Sequence, residues 1–500
     1  MVDVLKSGMS RIFLIEDRAS PAHVPEYQSL GKAGAPDWPQ GDLTLVRGPS
    51  AESYNQSEII DEIVGTPGAP SLPLEFQRTL ALSEVLKLVR KGCPIDIQVH
   101  MGACQNPSDF NGGWDVVIVL EAARPTSYGG TDLGALGGDN AEVRETVPFT
   151  GRDYYEIGKV TGSELGGSEI VQEVVAVTIC DSRSCGTCGS ASDGCQKVFA
   201  LTKTAGGSPG LPAELIYSSD GGGTLGQTNV STLGANEEPT GMACVGTYLA
   251  VISNDSESLH YAVTADVLDG TESWTETTSG FVAAKGPNAL FSLGQSFTWI
   301  VGDGGYVYFA SDITSAVEVQ DAGVTTIQNL ADIHGYDKTH LVAVGASNTV
   351  IYTVNGTTWL SVTGPDAGVA LTCVWMHSKT EWLVGTAGGK LWYTTDSGAT
   401  WTQKAFNNSG SGGVRDIFFS TPTVGWMAHD YTPAGGVTGR ILRTIDGGNS
   451  WYVTPEDRGL NLPTSDRINA IVGCGGDPNV LYAGGLAGDA TDGILMKLTS

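Results

Sequence analysis

The sequence predicts an all-β protein: an N-terminal β-sandwich with one flanking helix, then a C-terminal seven-bladed β-propeller. Three observations predict it. Gly is abundant (68 residues) while charged residues make up only 16%, so helix-favouring Lys, Glu and Arg are scarce. The 41% hydrophobic content of 500 residues is enough to bury more than one core. A turn motif also recurs through the C-terminal two-thirds at a spacing that fits one four-stranded blade of about 40–50 residues.

Two segments carry the motif S/T-x-D-x-G-x-T/S-W in full: Thr394-Thr-Asp396-Ser-Gly398-Ala-Thr400-Trp401 and Thr444-Ile-Asp446-Gly-Gly448-Asn-Ser450-Trp451. Ser218-Ser-Asp220-Gly-Gly222-Gly-Thr224 has Leu225 in place of the Trp. Thr353-Val-Asn355-Gly-Thr-Thr-Trp359 is one residue short, and the Asp266 and Asp312 regions are eroded copies. The anchors at 220, 266, 312, 355, 396 and 446 are spaced by 46, 46, 43, 41 and 50 residues. An aromatic or aliphatic strand precedes each of the clearer copies, and a second strand ending in Gly lies upstream, as in Trp299–Gly302 or Leu341–Gly345. The Asp can accept backbone N–H bonds in a tight turn, the Gly permits positive φ, and the Trp packs between blades. Asp220, Asp266, Asp312, Asn355, Asp396, Trp401, Asp446 and Trp451 are therefore expected to be folding residues.

The final unit offers only three strands, Arg467–Cys474, Val480–Gly484 and Ile494–Leu498. Asp153–Val160 is the expected fourth, joining the end of the propeller to its beginning. The predicted domains are 1–150 and 151–500.

The repeat resembles the Asp box (BNR repeat) of sialidases, photosystem assembly factors and sortilin-type receptors. That resemblance implies the propeller fold, not a transferable site. A sialidase-like site needs three arginines from separate blades, with a Tyr nucleophile and its Glu partner. No Arg occurs between Ser184 and Val414, so that triad cannot be assembled. The expectation is a protein that is not an enzyme, with a glycoside hydrolase using paired carboxylates as the less favoured reading. His260, His334, His340, His377 and His429 share no metal-ligand spacing.

Four cysteines cluster at Cys180, Cys185, Cys188 and Cys195. They could hold a structural Zn²⁺ or pair as two disulfides that staple a Gly/Ser-rich loop. Otherwise no cofactor is expected. Cys93, Cys104, Cys244, Cys373 and Cys474 read as scattered small hydrophobes.

Residues 1–150 lack the repeat. Strands are expected at Ser10–Ile15, Leu43–Arg47, Ile59–Val64, Ile95–His100 and Trp114–Leu120. A helix is expected at Ser83–Lys91, capped by Ser83 and stopped by Gly92 and Pro94. The extended segment Ser20–Gly48, the loop Val64–Pro73 and this helix resemble the major tail tube proteins of long-tailed bacteriophages. That resemblance implies a virion protein assembled in the host cytoplasm, stacking with itself as hexameric rings and meeting other tail proteins. Genomic DNA would pass through the lumen without specific binding, and the propeller would face outward toward host-surface glycans.

A net charge of −28 fits such a lumen and argues against wrapping nucleic acid or docking to anionic membranes. No apolar run suggests a membrane span, and residues 1–13 lack a signal-peptide core. The alternative is a free-standing glycan- or protein-binding propeller.

Overall fold

The computed structural model describes residues 11–16, 28–29, 71–77, 95–101, 116–125, 131–132, 144–150, 153–158 and 160–500. Within the last span, 167–169, 171, 181–194, 204–212, 235–236, 405, 407–411, 432–437, 454–465, 476 and 488–491 are excepted. The chain divides into two compact units, Met1–Lys159 and Val160–Ser500.

The N-terminal unit is built on antiparallel strands. β1 (Arg11–Glu16) pairs with β2 (Gln28–Ser29) and with β4 (Ile95–Met101), which pairs with β5 (Val116–Pro125). β3 (Ser71–Gln77) and the two-residue β6 (Thr131–Asp132) both pair with β7 (Arg144–Thr150). The ten-residue β5 serves both groups: its first half pairs with β8 (Asp153–Gly158), and Arg124–Pro125 pair with the end of β7. Residues 117–120 are buried in succession, so both faces of β5 are covered. The expected Leu43–Arg47 and Ile59–Val64 strands and the Ser83–Lys91 helix lie outside the described residues. β3 was hidden in the sequence by Pro73, which sits opposite Pro148 in the ladder, where neither residue can donate an N–H.

From Val160 onward, seven four-stranded antiparallel sheets follow one another. The first strands of successive sheets are neighbours around a closed ring, the seventh meeting the first. Each sheet is a blade, numbered one to seven in chain order from Glu173–Ile179, with its first strand innermost. Apolar clusters fill the seams between blades. Leu383 and Leu391 of blade five pack with Ile417, Met427 and Trp451 of blade six. Val198 and Ile216 of blade one pack with Tyr482 and Leu495 of blade seven. Most of the stability of such a ring comes from burying these faces, at about 25 cal/mol per Å².

The expected closure needs one correction. Asp153–Gly158 is not the fourth strand of blade seven. It pairs residue for residue with Val116–Glu121 of β5 as part of the N-terminal unit. Closure is made by the next strand, β9 (Thr161–Glu164), which pairs with Gly493–Thr499 in the register Thr161↔Thr499 to Glu164↔Met496. Two strand-forming runs stand almost back to back here. The longer one satisfies the open edge of β5, and only four residues close the ring.

Candidate functional site

The six anchors all fall between the third and fourth strands of blades one to six, but they do not all fold alike. In blades one, five and six the turn repeats almost atom for atom. The Ser218, Thr394 and Thr444 hydroxyls each donate to the Asp two residues on, at 2.8, 2.8 and 2.6 Å. The same hydroxyls accept the N–H of Gly222, Gly398 and Gly448 at 2.8, 2.9 and 2.8 Å. Those glycines have φ of 92°, 82° and 87°, where a Cβ would be strained. The carboxylate then takes the N–H of Thr224, Thr400 or Ser450 at 2.8, 2.8 and 3.0 Å.

Acceptance of the Thr224 N–H, helped by the Ser218 hydroxyl, holds Asp220 at about 2. For Asp396 burial works in the opposite direction, but the bonds from Thr400 and Thr394 win and the carboxyl is lowered.

Asn355 closes a turn one residue shorter, taking the Thr358 N–H at 2.8 Å. Asp312 only caps Thr314, through its N–H at 2.9 Å and its hydroxyl at 2.8 Å. Asp266 is not in such a turn at all. Thr264–Asp269 is a short helix, ended by Gly270 at φ 68°. Leu268 stands where the turn needs Gly, and an Ala-Asp-Val-Leu run satisfies its N–H groups as a helix instead.

The tryptophans of the motif sit at blade seams. The Trp401 Nε1–H donates to Thr363 O of the preceding blade at 3.0 Å, and Trp451 is buried against Phe419 at 5.9 Å between ring centroids.

The innermost strands carry a second repeat that the sequence reading missed. Each has a bulge near its start: after the first ladder residue in blades two to six, as between Leu330 and Asp332, and after the second in blades one and seven, between Val174 and Ala176 and between Ile468 and Ala470. In four blades the bulged side chain ties its strand to the next blade. Thr240 donates to Pro287 O at 2.8 Å, Asn288 to Leu330 O at 2.9 Å and Asn469 to Val174 O at 3.0 Å; Thr372 donates to Val414 O.

The next position reads Ala176, Gly241, Ala289, Asp332, Cys373, Asp416 and Ala470 around the ring. Asp332 takes its own Ile333 N–H at 2.8 Å and Val374 N–H of blade five at 2.7 Å. Asp416 repeats this with Ile417 and with Ile471 of blade seven, both at 2.8 Å. Burial raises Asp332 to about 6 and Asp416 to about 7 in spite of these donors, and the Asp332 charge adds to the latter.

Two residues further along, blades three to six present Phe291, His334, Trp375 and Phe418, with successive ring centroids 5.0, 4.0 and 5.5 Å apart. Burial lowers His334 to about 3, and its neutral Nδ1 accepts the Met376 N–H at 3.1 Å. The equivalent residues of blades seven, one and two are Val472, Thr178 and Ala243. One arc of the inner ring is thus aromatic and the other small. A workable sequence signal exists: an apolar pair three apart (Leu330/Ile333, Leu371/Val374, Val414/Ile417) about twenty residues after each anchor.

The cysteine expectation is corrected in its pairing. Cys180 and Cys195 are disulfide-bonded, but to Cys244 and Cys474 and not within their own cluster. Cys244 and Cys474 are therefore bridge partners. Both lie at the far ends of inner strands, beside the ends of the 180–195 loop, a proximity that only the ring creates. Cys185 and Cys188 lie outside the described residues, and Cys373 is a buried free thiol. Among the described residues, no group of three or more His, Cys, Asp or Glu is placed to hold a metal ion.

Three arginines of blade six make local contacts. Arg415 bonds Asp430 at 2.6 and 2.8 Å, Arg440 lies over the Tyr431 ring at 3.2 Å, and buried Arg443 lies over Trp426 at 4.6 Å. His260 bridges Ser258 and Thr232 at 2.7 and 2.8 Å, and His340 meets Asp337 at 3.0 Å.

No protein-family profile matches the sequence, and no curated protein is similar to it. Solved structures are. YCF48 bound to a D1 peptide has 16% identity over 69% of this chain and 98% of that one, with a TM-score of 0.50. A catalytically inactive virginiamycin B lyase from Staphylococcus aureus with quinupristin has 12% identity over 68% and 100%, also at 0.50. The C-terminal unit is a β-propeller. At these identities the likeness is one of fold.

Proposed function

We propose that the protein is a structural subunit of a bacteriophage tail tube whose Asp-box propeller is displayed for surface contacts. The observation that carries this reading is the way the two units are joined. Gly158 ends the last strand of the N-terminal unit, and Thr161 begins the outer strand of blade seven. The propeller is closed by the segment that leaves the N-terminal β-unit, as an appendage grown from it would be. The resemblance of that unit to tail tube proteins supplies the assembly role.

Contact surfaces are available on the propeller. Val324 and Ile327 are 88% and 77% exposed between blades three and four, with Val319 and Leu360 on nearby outer strands. The inner-ring residues with perturbed protonation, Asp332, Asp416 and His334, bond neighbouring backbone; this supports a scaffold role over a catalytic one. Electron microscopy of the purified full chain tests the proposal. Stacked rings or tubes are expected, and monomers persisting at high concentration across a range of salt would refute it.

A second reading, a free-standing binding propeller, is favoured by the aromatic arc and by the ligands held in the two similar structures. It predicts that monomeric full-length protein binds a glycan on an array or a peptide, and a blank on both counts against it.

A further inference from the structure

The two disulfides share one blade. Cys180, directly after the innermost strand of blade one, is bonded to Cys244 on the innermost strand of blade two. Cys195, at the other end of the same loop, is bonded to Cys474 on the innermost strand of blade seven. Blade one is thereby linked covalently to both of its neighbours.

The second bridge lies on the seam where the ring closes, between the last blade and the first. Around it, the Tyr482 hydroxyl contacts Cys195 O at 3.2 Å and Gly221 O at 3.0 Å, and Lys497 donates to Gly221 O at 2.8 Å. Asn469 ties the same seam through Glu173 at 2.8 Å. Cys195 is held at φ 71°, an uncommon conformation for a residue with a side chain. Closure in the chain direction otherwise depends on β9, four residues that are largely exposed. A short, solvated strand frays readily, and a covalent bond across the same joint does not.

We propose that these bridges are an oxidative latch on the propeller. The ring can assemble with free thiols, is locked around blade one on oxidation, and works in surroundings that keep thiols oxidised. For each bridge, one cysteine thiolate attacks the S–S bond of a small-molecule disulfide such as glutathione disulfide. A mixed disulfide forms and one thiol is released. The partner thiolate then attacks the protein sulfur and expels the second thiol. Two protons leave the cysteine pair, and two electrons reduce the donor to two thiols. The inference goes beyond the tail-tube reading and does not depend on it, because a free-standing propeller would be latched in the same way.

The test uses the full chain purified without reductant. After alkylation under denaturing conditions, peptide mapping should find the 180–244 and 195–474 cross-links and alkylated Cys373. Reduction by a phosphine should lower the Tm of the propeller by about 5–10 °C and speed proteolysis within blades one and seven. Cys244→Ser and Cys474→Ser should each lose part of that shift. If Cys474→Ser fails to fold, Cys244→Ser and the reduced wild type still decide the matter. Full alkylation of Cys180, Cys195, Cys244 and Cys474 in the unreduced protein overturns the proposal. So does an unchanged Tm after complete reduction, or a stoichiometric metal bound by these thiols.

Discussion

Replacing Asp416 by Asn should make the propeller more sensitive to acid, although it removes an acid. Asp332 and Asp416 are raised to about 6 and 7 by burial, so the native state holds two protons that the unfolded chain has released above about pH 4. Their stabilisation is present at low pH and lost as pH rises through 6–7. His260, His334 and His429 act in the opposite sense. Burial lowers them to about 4, 3 and 4, so the unfolded chain binds three protons that the native state refuses. Their stabilisation is present above about 6.5 and lost as pH falls toward 4. From these five groups, between pH 4.5 and 5.5 the unfolded state binds one more proton than the native state. Stability should rise by about 1.4 kcal/mol per pH unit. Asp416→Asn removes one native proton, the difference becomes two, and the slope should steepen to about 2.7 kcal/mol per pH unit. Urea unfolding followed by Trp fluorescence across this window measures it, since nine of the eleven tryptophans lie between 274 and 451. Loss of a hydrogen bond to Ile417 or Ile471 lowers the whole curve without changing its slope. Parallel curves for wild type and variant would refute the assignment.

Three further outcomes are expected. Asp446→Ala should cost about 4 kcal/mol, since it strips the buried Thr444 hydroxyl and the Asn449 and Ser450 N–H groups of an acceptor. The same change at solvent-exposed Asp220 should cost far less, and denaturant melts of the pair decide whether burial or turn chemistry dominates. Trp451→Ala should cost about 3–5 kcal/mol in the same assay, because it opens a cavity at the seam of blades five and six. Ser163→Pro should block the β9 ladder opposite Lys497, and hydrogen exchange should then rise along Gly493–Thr499 while Thr349–Thr353 in blade four stays protected.

The turns were legible because their chemistry is local. Thr444, Asp446, Gly448 and Ser450 answer one another within seven residues, so the pattern must be written in contiguous sequence. Where the local alternatives change, the reading fails, as at Asp266, where Leu268 replaces the Gly and a helix wins. The blade count was legible for the same reason, whereas the closing strand was not. Asp153–Gly158 and Thr161–Glu164 are both plausible strands, and only their partners in β5 and Gly493–Thr499 tell them apart. The disulfides were the least legible feature: the bonded pairs are separated by 64 and 279 residues, and the cluster drew attention to neighbours in sequence instead of neighbours in space.

Side chains of the inner ring vary more freely than those of the shared turn in blades one, five and six. A turn of this kind must satisfy the same donors wherever it forms, so its side chains repeat in blades one, five and six. The inner strands share only a backbone requirement: an apolar residue just before the bulge, the bulge itself, and cover for the exposed edge of the next blade. Asp332 and Asp416 meet that last need with a carboxylate, and His334 meets it with a neutral imidazole. Trp375 and Phe418 meet edge to face in the positions that Thr178 and Ala243 leave small. Any side chain that covers the edge or fills the ring is acceptable, so these positions are free to diverge. An aromatic arc facing a small-residue arc is the asymmetry that such freedom permits, and it is the part of the ring on which a ligand preference could be built without disturbing the fold.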